Sequence, residues 1–304
     1  MKYNETLCRI EYALSVLFFV TLAGFFPLFY GAGYSVILPA KYTAFQIIAV
    51  FFGCAFFALS VLKKDKKRLF YGCFSARCAP TAFLFLFYAV LIISALLSPY
   101  LLQTNSGGLS AVIFGSGRYD GLYVYGLYAV IFIISYKFLR FERRHILFLS
   151  AVLLLMSLFG IVQLFGVNLL NIYPSDTYTG YYDEFISTMG NIDFFSSLLC
   201  MLIPFCFASF MSVGFKRRES GFVLFSVFSA SFCLIKTGVQ SGIITLTAMF
   251  LIIIPLSLKK RENVTKALVS AASAALLIWL CGSLEFTKLD NSTGISFSVK
   301  PVPL

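Results

Sequence analysis

A chain of 304 residues with 60% hydrophobic residues, mean hydropathy +0.89 and 12% charged residues is no soluble domain, because such domains carry roughly 25% charged residues. The formal net charge of +11 would point to nucleic acid in a soluble protein, but the basic residues stand in short clusters between apolar blocks, the distribution of a polytopic membrane protein, and no nucleic-acid partner is expected. The apolar residues form solid blocks that approach or exceed about 18 residues instead of alternating, which excludes a β-barrel and implies an all-α integral membrane protein.

Nine spans are expected, at about 10–30, 42–62, 81–98, 121–137, 146–166, 194–213, 221–236, 238–258 and 267–282. The first is too long for a signal-peptide core and lacks a small-residue cleavage site. Residues 1–282 therefore read as one polytopic membrane domain, and 283–304 as an external tail, poorly ordered or draped over the outer surface. With the N-terminus inside, the inner segments hold 19 of the 24 lysines and arginines, leaving Lys41, Arg118, Lys236, Lys288 and Lys300 outside. This asymmetry over short loops places the N-terminus in and the C-terminus out. The eight cysteines form no disulfide framework, and Cys73 and Cys78 read as free thiols, their loose spacing lacking a second pair for a metal.

Two outer connections are long, 99–120 and 167–193, and loops of that length are commonly functional or disordered. The first is rich in Gly and Ser and closes on G-S-G-R-Y-D-G-L, Gly115 to Leu122. Arg118 is the only outer arginine; a guanidinium at the interface holds phosphate oxygens bidentately, and the glycines admit backbone amides to the same group. Asp120 either orients that arginine or accepts from a sugar hydroxyl. The alternative for the two is a local ion pair in a turn, worth little when exposed. The second loop carries Tyr173, Tyr178, Tyr181 and Tyr182 beside Asp176, Asp183 and Glu184, either an interfacial belt or a sugar-stacking surface.

That loop ends in S-T-M-G-N-I-D-F-F, where Gly190 and Asn191 read as a helix start. The Asn191 side chain is suited to accept an early backbone amide, and Asp193 falls in the first turn, where the helix dipole favours a carboxylate by about 0.3–1 kcal/mol. The mouth is then either simply well capped or also an anion site. Lys236 ends the seventh span, followed by T-G-V-Q-S-G, and either snorkels or faces a wet cavity. The only histidine, His145, lies in the inner cluster R-F-E-R-R-H and is expected to be a solvated loop residue. No Ser/His/Asp set, phosphate-binding loop or metal spacing is present, so no catalytic residue is assigned and no metal or cofactor is expected.

Three stretches together resemble the O-antigen ligase and O-antigen polymerase family of bacterial membrane proteins: G-S-G-R-Y-D-G-L, T-M-G-N-I-D-F-F with Pro204 later in the same span, and K-T-G-V-Q-S-G at Lys236 to Gly242. The second is similar to the family's Gly-Asn-x-x-Phe start of a proline-bearing span. The resemblance implies a C-type glycosyltransferase-like helical bundle in the bacterial cytoplasmic membrane. It would take a glycan from an undecaprenyl-pyrophosphate carrier on the outer face and pass it to an acceptor glycan or lipid. The residues it points to for substrate are Arg118, Asp120, Asn191, Asp193, Lys236 and Gln240. Two departures stand out. Gln240-Ser241-Gly242 replaces the family's common Ser-Arg-Gly, and the family continues into a large outer loop with an arginine and a histidine, then further spans. The expectation is a chain incomplete for catalysis that binds without turnover, since an outer general base, worth typically about 10²–10⁴ in rate, is missing. The competing readings are a transporter or flippase for a glycolipid or small solute, and a catalytically silent membrane partner. A transporter would be expected to keep ionisable residues inside several spans, and the blocks are almost clean of charge.

The topology is open to a direct test. Engineered cysteines near Ser106 and Thr179 should be labelled in intact cells and those near Asp65 and Glu142 should not; the reverse pattern would move every outer residue named above to the cytoplasm.

Overall fold

The computed structural model describes residues 2–31, 33–63, 79–97, 108–115, 119, 121–165, 167–172, 186–258, 263–286 and 297–299. Each of the nine apolar blocks falls on a helix. Seven helices are long and apolar enough to cross a membrane, Glu5–Leu28, Tyr34–Leu62, Arg143–Leu164, Ile192–Ser212, Arg217–Lys236, Gln240–Ser257 and Asn263–Ser283, while Pro80–Leu96 and Leu122–Phe138 are shorter apolar helices. The chain is a helical membrane protein. It divides into two compact units: residues 1–22 with 42–140, and 23–41 with 141–304.

The first unit holds α1 (Lys2–Val20), α3 (Ile37–Leu62) from Tyr42 onward, α4 (Ala79–Leu96), α5 (Gly108–Phe114) and α6 (Leu122–Phe138). A π-helical turn, Thr21–Phe25, carries α1 on into the single turn α2 (Phe26–Leu28). The core of this unit is aromatic. Phe18 meets Phe52 and Phe56 edge-on at 5.2 and 6.2 Å, and Phe56 stacks on Phe138 at 4.6 Å. Small residues let the helices approach: Gly53 lies against Val130, and Gly126 leaves room for Tyr88, whose hydroxyl donates to the Leu122 carbonyl at 3.0 Å. A largely buried Lys63–Glu11 ion pair joins α1 to the end of α3. Helix α5 lies inside the first long loop, where the Gly/Ser-rich sequence gave no helical signal.

The second unit holds α2, a 3-10 turn (Tyr34–Val36), the first residues of α3, and helices α7 (Arg143–Leu164), α8 (Ile192–Ser212), α9 (Arg217–Lys236), α10 (Gln240–Ser257) and α11 (Asn263–Ser283). Half of the apolar window of α7, α8 and α9 is buried against 17% for α10 and α11, so the first three form the centre. Their contact is close because one side is small: a side chain at Gly160 would meet the Phe195 ring at 3.1 Å and Cys233 Sγ at 3.4 Å. Ser150, Ser157 and Ser226 return their hydroxyls to the carbonyls of Ile146, Leu153 and Phe222 in their own helices, so each buried hydroxyl is satisfied. Cys233 Sγ donates to the Ser157 carbonyl at 3.2 Å. Past α11, Leu284–Phe286 (β1) pairs antiparallel with Phe297–Val299 (β2), a short ladder at the start of the expected tail.

The helix ends of this unit explain its polar residues. At one end, here called the basic end, Lys266 Nζ donates to the carbonyls of Phe210, Met211 and Val213, the last of α8, at 2.8, 3.3 and 3.3 Å. The Phe210 and Met211 carbonyls lie in the last turn, where no intrahelical amide follows, the Val213 carbonyl also accepts the Phe215 amide, and a cation there is favoured by the helix dipole. Arg143 pairs with Glu219 beside the Phe215 ring, which brings the starts of α7 and α9 to the same end. His145 corrects an expectation: it is not a solvated loop residue. It is buried in the first turn of α7, its Nδ1 accepts the Glu142 amide at 2.9 Å, and its ring stacks on Phe141. The reciprocal Glu142–His145 cap is a capping box with an unusual residue pair.

Lys266→Met should lower the thermal stability of the purified protein by about 2–3 kcal/mol, since it leaves partly buried carbonyls without their charged donor. An unchanged unfolding midpoint would show that water replaces the lysine.

Candidate functional site

The T-M-G-N-I-D stretch forms the start of α8. Asn191 has extended backbone and its side-chain oxygen accepts the Asp193 amide at 2.6 Å, while its carbonyl accepts the Phe195 amide at 3.0 Å. Asp193 is the acidic residue of the first turn, and both it and Asn191 are exposed. The cap and the acidic first turn thus stand where the sequence places them, and Pro204 lies inside the same helix. Gly190 has φ +81°, and a side chain there would meet Ile37 Cγ2 at 2.7 Å. Both the left-handed backbone and the close approach require glycine.

The residues before this cap are fastened from three directions. Gln163, near the end of α7, accepts the amides of Ile186 and Ser187 at 3.1 and 2.7 Å and donates to the Ser187 carbonyl at 3.0 Å. Ser187, a non-glycine residue at φ +51°, donates its hydroxyl to the Met156 carbonyl at 2.8 Å. Thr188 donates to the Pro27 carbonyl at 2.7 Å. Around them Ile37, Ile172 and Ile186 make a buried cluster with Tyr30, Tyr34 and Leu170 packed against it. Tyr34 N–H donates to the Ile172 carbonyl, whose own amide is taken by Asn168.

Lys41 belongs to the same node. As an outer loop residue it would be exposed, yet it is 6% exposed, in the second turn of α3. Its Nζ donates to the Phe26 and Pro27 carbonyls, each at 2.9 Å, and lies 5.2 Å from the Phe26 ring centre. Pro27 O therefore accepts from Lys41 and Thr188 together. A chain that ends a helical turn in apolar surroundings needs such donors, because each unsatisfied backbone group there costs several kcal/mol.

Lys236 is the last residue of α9 and donates to the Cys281 carbonyl at 2.9 Å, near the end of α11. Gln240 is the exposed first residue of α10. Gly242 is buried, and a side chain there would meet Leu234 Cδ1 at 2.7 Å, so this hairpin closes tightly. Short turns join α8 to α9 and α9 to α10, which makes them antiparallel neighbours. Asn191, Asp193, Lys236 and Gln240 therefore lie at one end of this unit, opposite the basic end. The Asp193 amide is already taken by the Asn191 side chain, so this mouth offers an anion one donor fewer than an uncapped helix start.

Arg118 and Asp120 lie outside the described residues, as do the tyrosines and carboxylates of 173–185. The flanks of Arg118 belong to the first unit and are tightly held. Tyr119 has φ +56° and stacks on Tyr42 at 4.0 Å, and a side chain at Gly121 would fall 2.3 Å from the Ile113 carbonyl oxygen. Among the described residues no group of three or more His, Cys, Asp or Glu side chains is placed to hold a metal. No protein-family model, curated protein or solved structure matches the chain.

Sequence reasoning missed Gln163, Ser187 and Lys41, which hold the mouth in place. Gln163 is the polar residue that closes an otherwise apolar span, and that was the available signal. Gln163→Leu keeps the size but leaves the amides of Ile186 and Ser187 without an acceptor, and should cost at least about 2 kcal/mol in thermal or denaturant unfolding. Gln240→Leu, at an exposed position, should stay within about 0.5 kcal/mol of the parent.

Proposed function

We propose that the chain works on lipid-linked glycans in the manner of the O-antigen ligase and polymerase family, moving a glycan from an undecaprenyl-pyrophosphate carrier to an acceptor glycan or lipid at the outer face of a bacterial cytoplasmic membrane. The observation that carries this reading is the T-M-G-N-I-D-F-F stretch. Thr188, Gly190 and Asn191 each have a separate fixed role there, at the start of a helix that bears Pro204, so the part of the sequence most similar to the family is also a rigidly built surface feature. In this reading the shorter helices α4 and α6 complete nine spans, with the N-terminus inside, the C-terminus outside and a C-type glycosyltransferase-like arrangement.

Within that scheme Arg118 grips the pyrophosphate with its planar fork. Lys236, at the end of α9, is the second unit's cation on the proposed outer side. Asn191, Asp193, Asp120 and Gln240 serve the sugar hydroxyls. The reaction needs no nucleotide sugar, and the glycan itself is the transferred group.

The test is binding of a labelled undecaprenyl-pyrophosphate-linked glycan to the full chain in detergent. Arg118→Lys keeps the charge and loses the fork, so the affinity should fall roughly tenfold or more. Absence of binding, or binding that Arg118→Lys leaves intact, sinks the proposal. Carrier movement between the leaflets of reconstituted vesicles without glycan transfer would instead identify a flippase.

A further inference from the structure

We propose that the basic end of the second unit, built from the starts of α7 and α9, binds the phosphate headgroups of anionic phospholipids. Among the described residues these two helix starts carry five basic side chains, Arg143, Arg144, Lys216, Arg217 and Arg218, and two carboxylates, Glu142 and Glu219. Both carboxylates are committed internally. Glu142 accepts Arg144 Nε at 2.7 Å, and Glu219 pairs with Arg143 and accepts the Lys216 amide at 3.0 Å. Among the described residues Lys216, Arg217 and Arg218 are exposed and no ion pair holds their side chains, and Arg143 Nε is enclosed with no acceptor. Among the described residues these two helix starts thus carry three more positive than negative side chains, and no described carboxylate pairs with Lys216, Arg217 or Arg218.

The surroundings choose the anion. Phe141, next to Glu142, is 46% exposed and meets Phe205, 40% exposed, edge-on at 5.4 Å, and further along α9 Phe225 is 55% exposed. A soluble phosphate would meet the charges alone, whereas the apolar flanks of these spanning helices face lipid acyl chains. An anionic phospholipid matches both, headgroup on the cations and acyl chain along the rings, at the level where such helices meet a membrane surface. Each basic residue near an anionic membrane surface contributes roughly fivefold in affinity.

The experiment uses the full chain in neutral detergent and two fluorescent short-chain lipids, a phosphatidylglycerol and a phosphatidylcholine. The parent should bind the phosphatidylglycerol well above the phosphatidylcholine. The triple variant Lys216→Gln/Arg217→Gln/Arg218→Gln should lose about a hundredfold for phosphatidylglycerol and nothing for phosphatidylcholine. A charge-keeping triple, Lys216→Arg/Arg217→Lys/Arg218→Lys, should stay within a few-fold of the parent, which separates lost charge from lost folding. Equal binding of the two lipids, undiminished phosphatidylglycerol binding by the glutamine triple, or full displacement by an equal concentration of inorganic phosphate would each overturn the lipid assignment.

Discussion

A helix that ends in apolar surroundings cannot leave its last carbonyls bare, and much of the polar content of this chain follows from that. Lys266 covers the end of α8, Lys236 reaches the end of α11, Lys41 serves the end of α2, and Asn263 donates to the Ser257 carbonyl at the end of α10. The first three join segments far apart in sequence, so satisfying a helix end and fixing the position of a neighbouring element are one act. Lysine suits the task because its long apolar stem lies along the helices while the ammonium stays at the terminus. Ammonium-to-carbonyl bonds are stronger than neutral ones, and the helix dipole adds to them.

The same requirement shapes the mouth of α8. The first helical stretch ends at Leu28, where the carbonyls of its last turn lack intrahelical amides, and Thr188 and Lys41 both answer that of Pro27. Gln163 takes over the backbone of 186–187 from another helix. The exposed pair Asn191 and Asp193 thus stands on a base without slack, although it lies at the end of a long connection. Preorganisation of this kind favours recognition, since little is left to order when a ligand arrives.

Local chemistry was readable from the residues, and remote partnership was not. The apolar blocks fall on helices because length and hydrophobicity suffice to define them. The Asn191 cap was visible because a cap acts within two or three residues of itself. His145 was misread because its burial depends on Phe141 and on a reciprocal cap between residue types that seldom form one. The role of Lys41 was not legible because its partners are carbonyls, 14 and 15 residues away, which no side-chain pattern announces. Helix α5 arises in a Gly-rich and Ser-rich stretch whose composition argues against it.

The lysine caps have a bearing on how such a chain can drift. One half of each contact is a backbone carbonyl, and every residue has one, so Met211 and Cys281 can change identity without disturbing the bond they receive, while only at Phe26 and Phe210 does a ring also face the lysine. The lysine has no such freedom. Paired, compensating substitutions therefore do not arise between these positions, and correlated change among relatives, which reports side chains that answer one another, is silent about some of the firmest long-range contacts in the molecule.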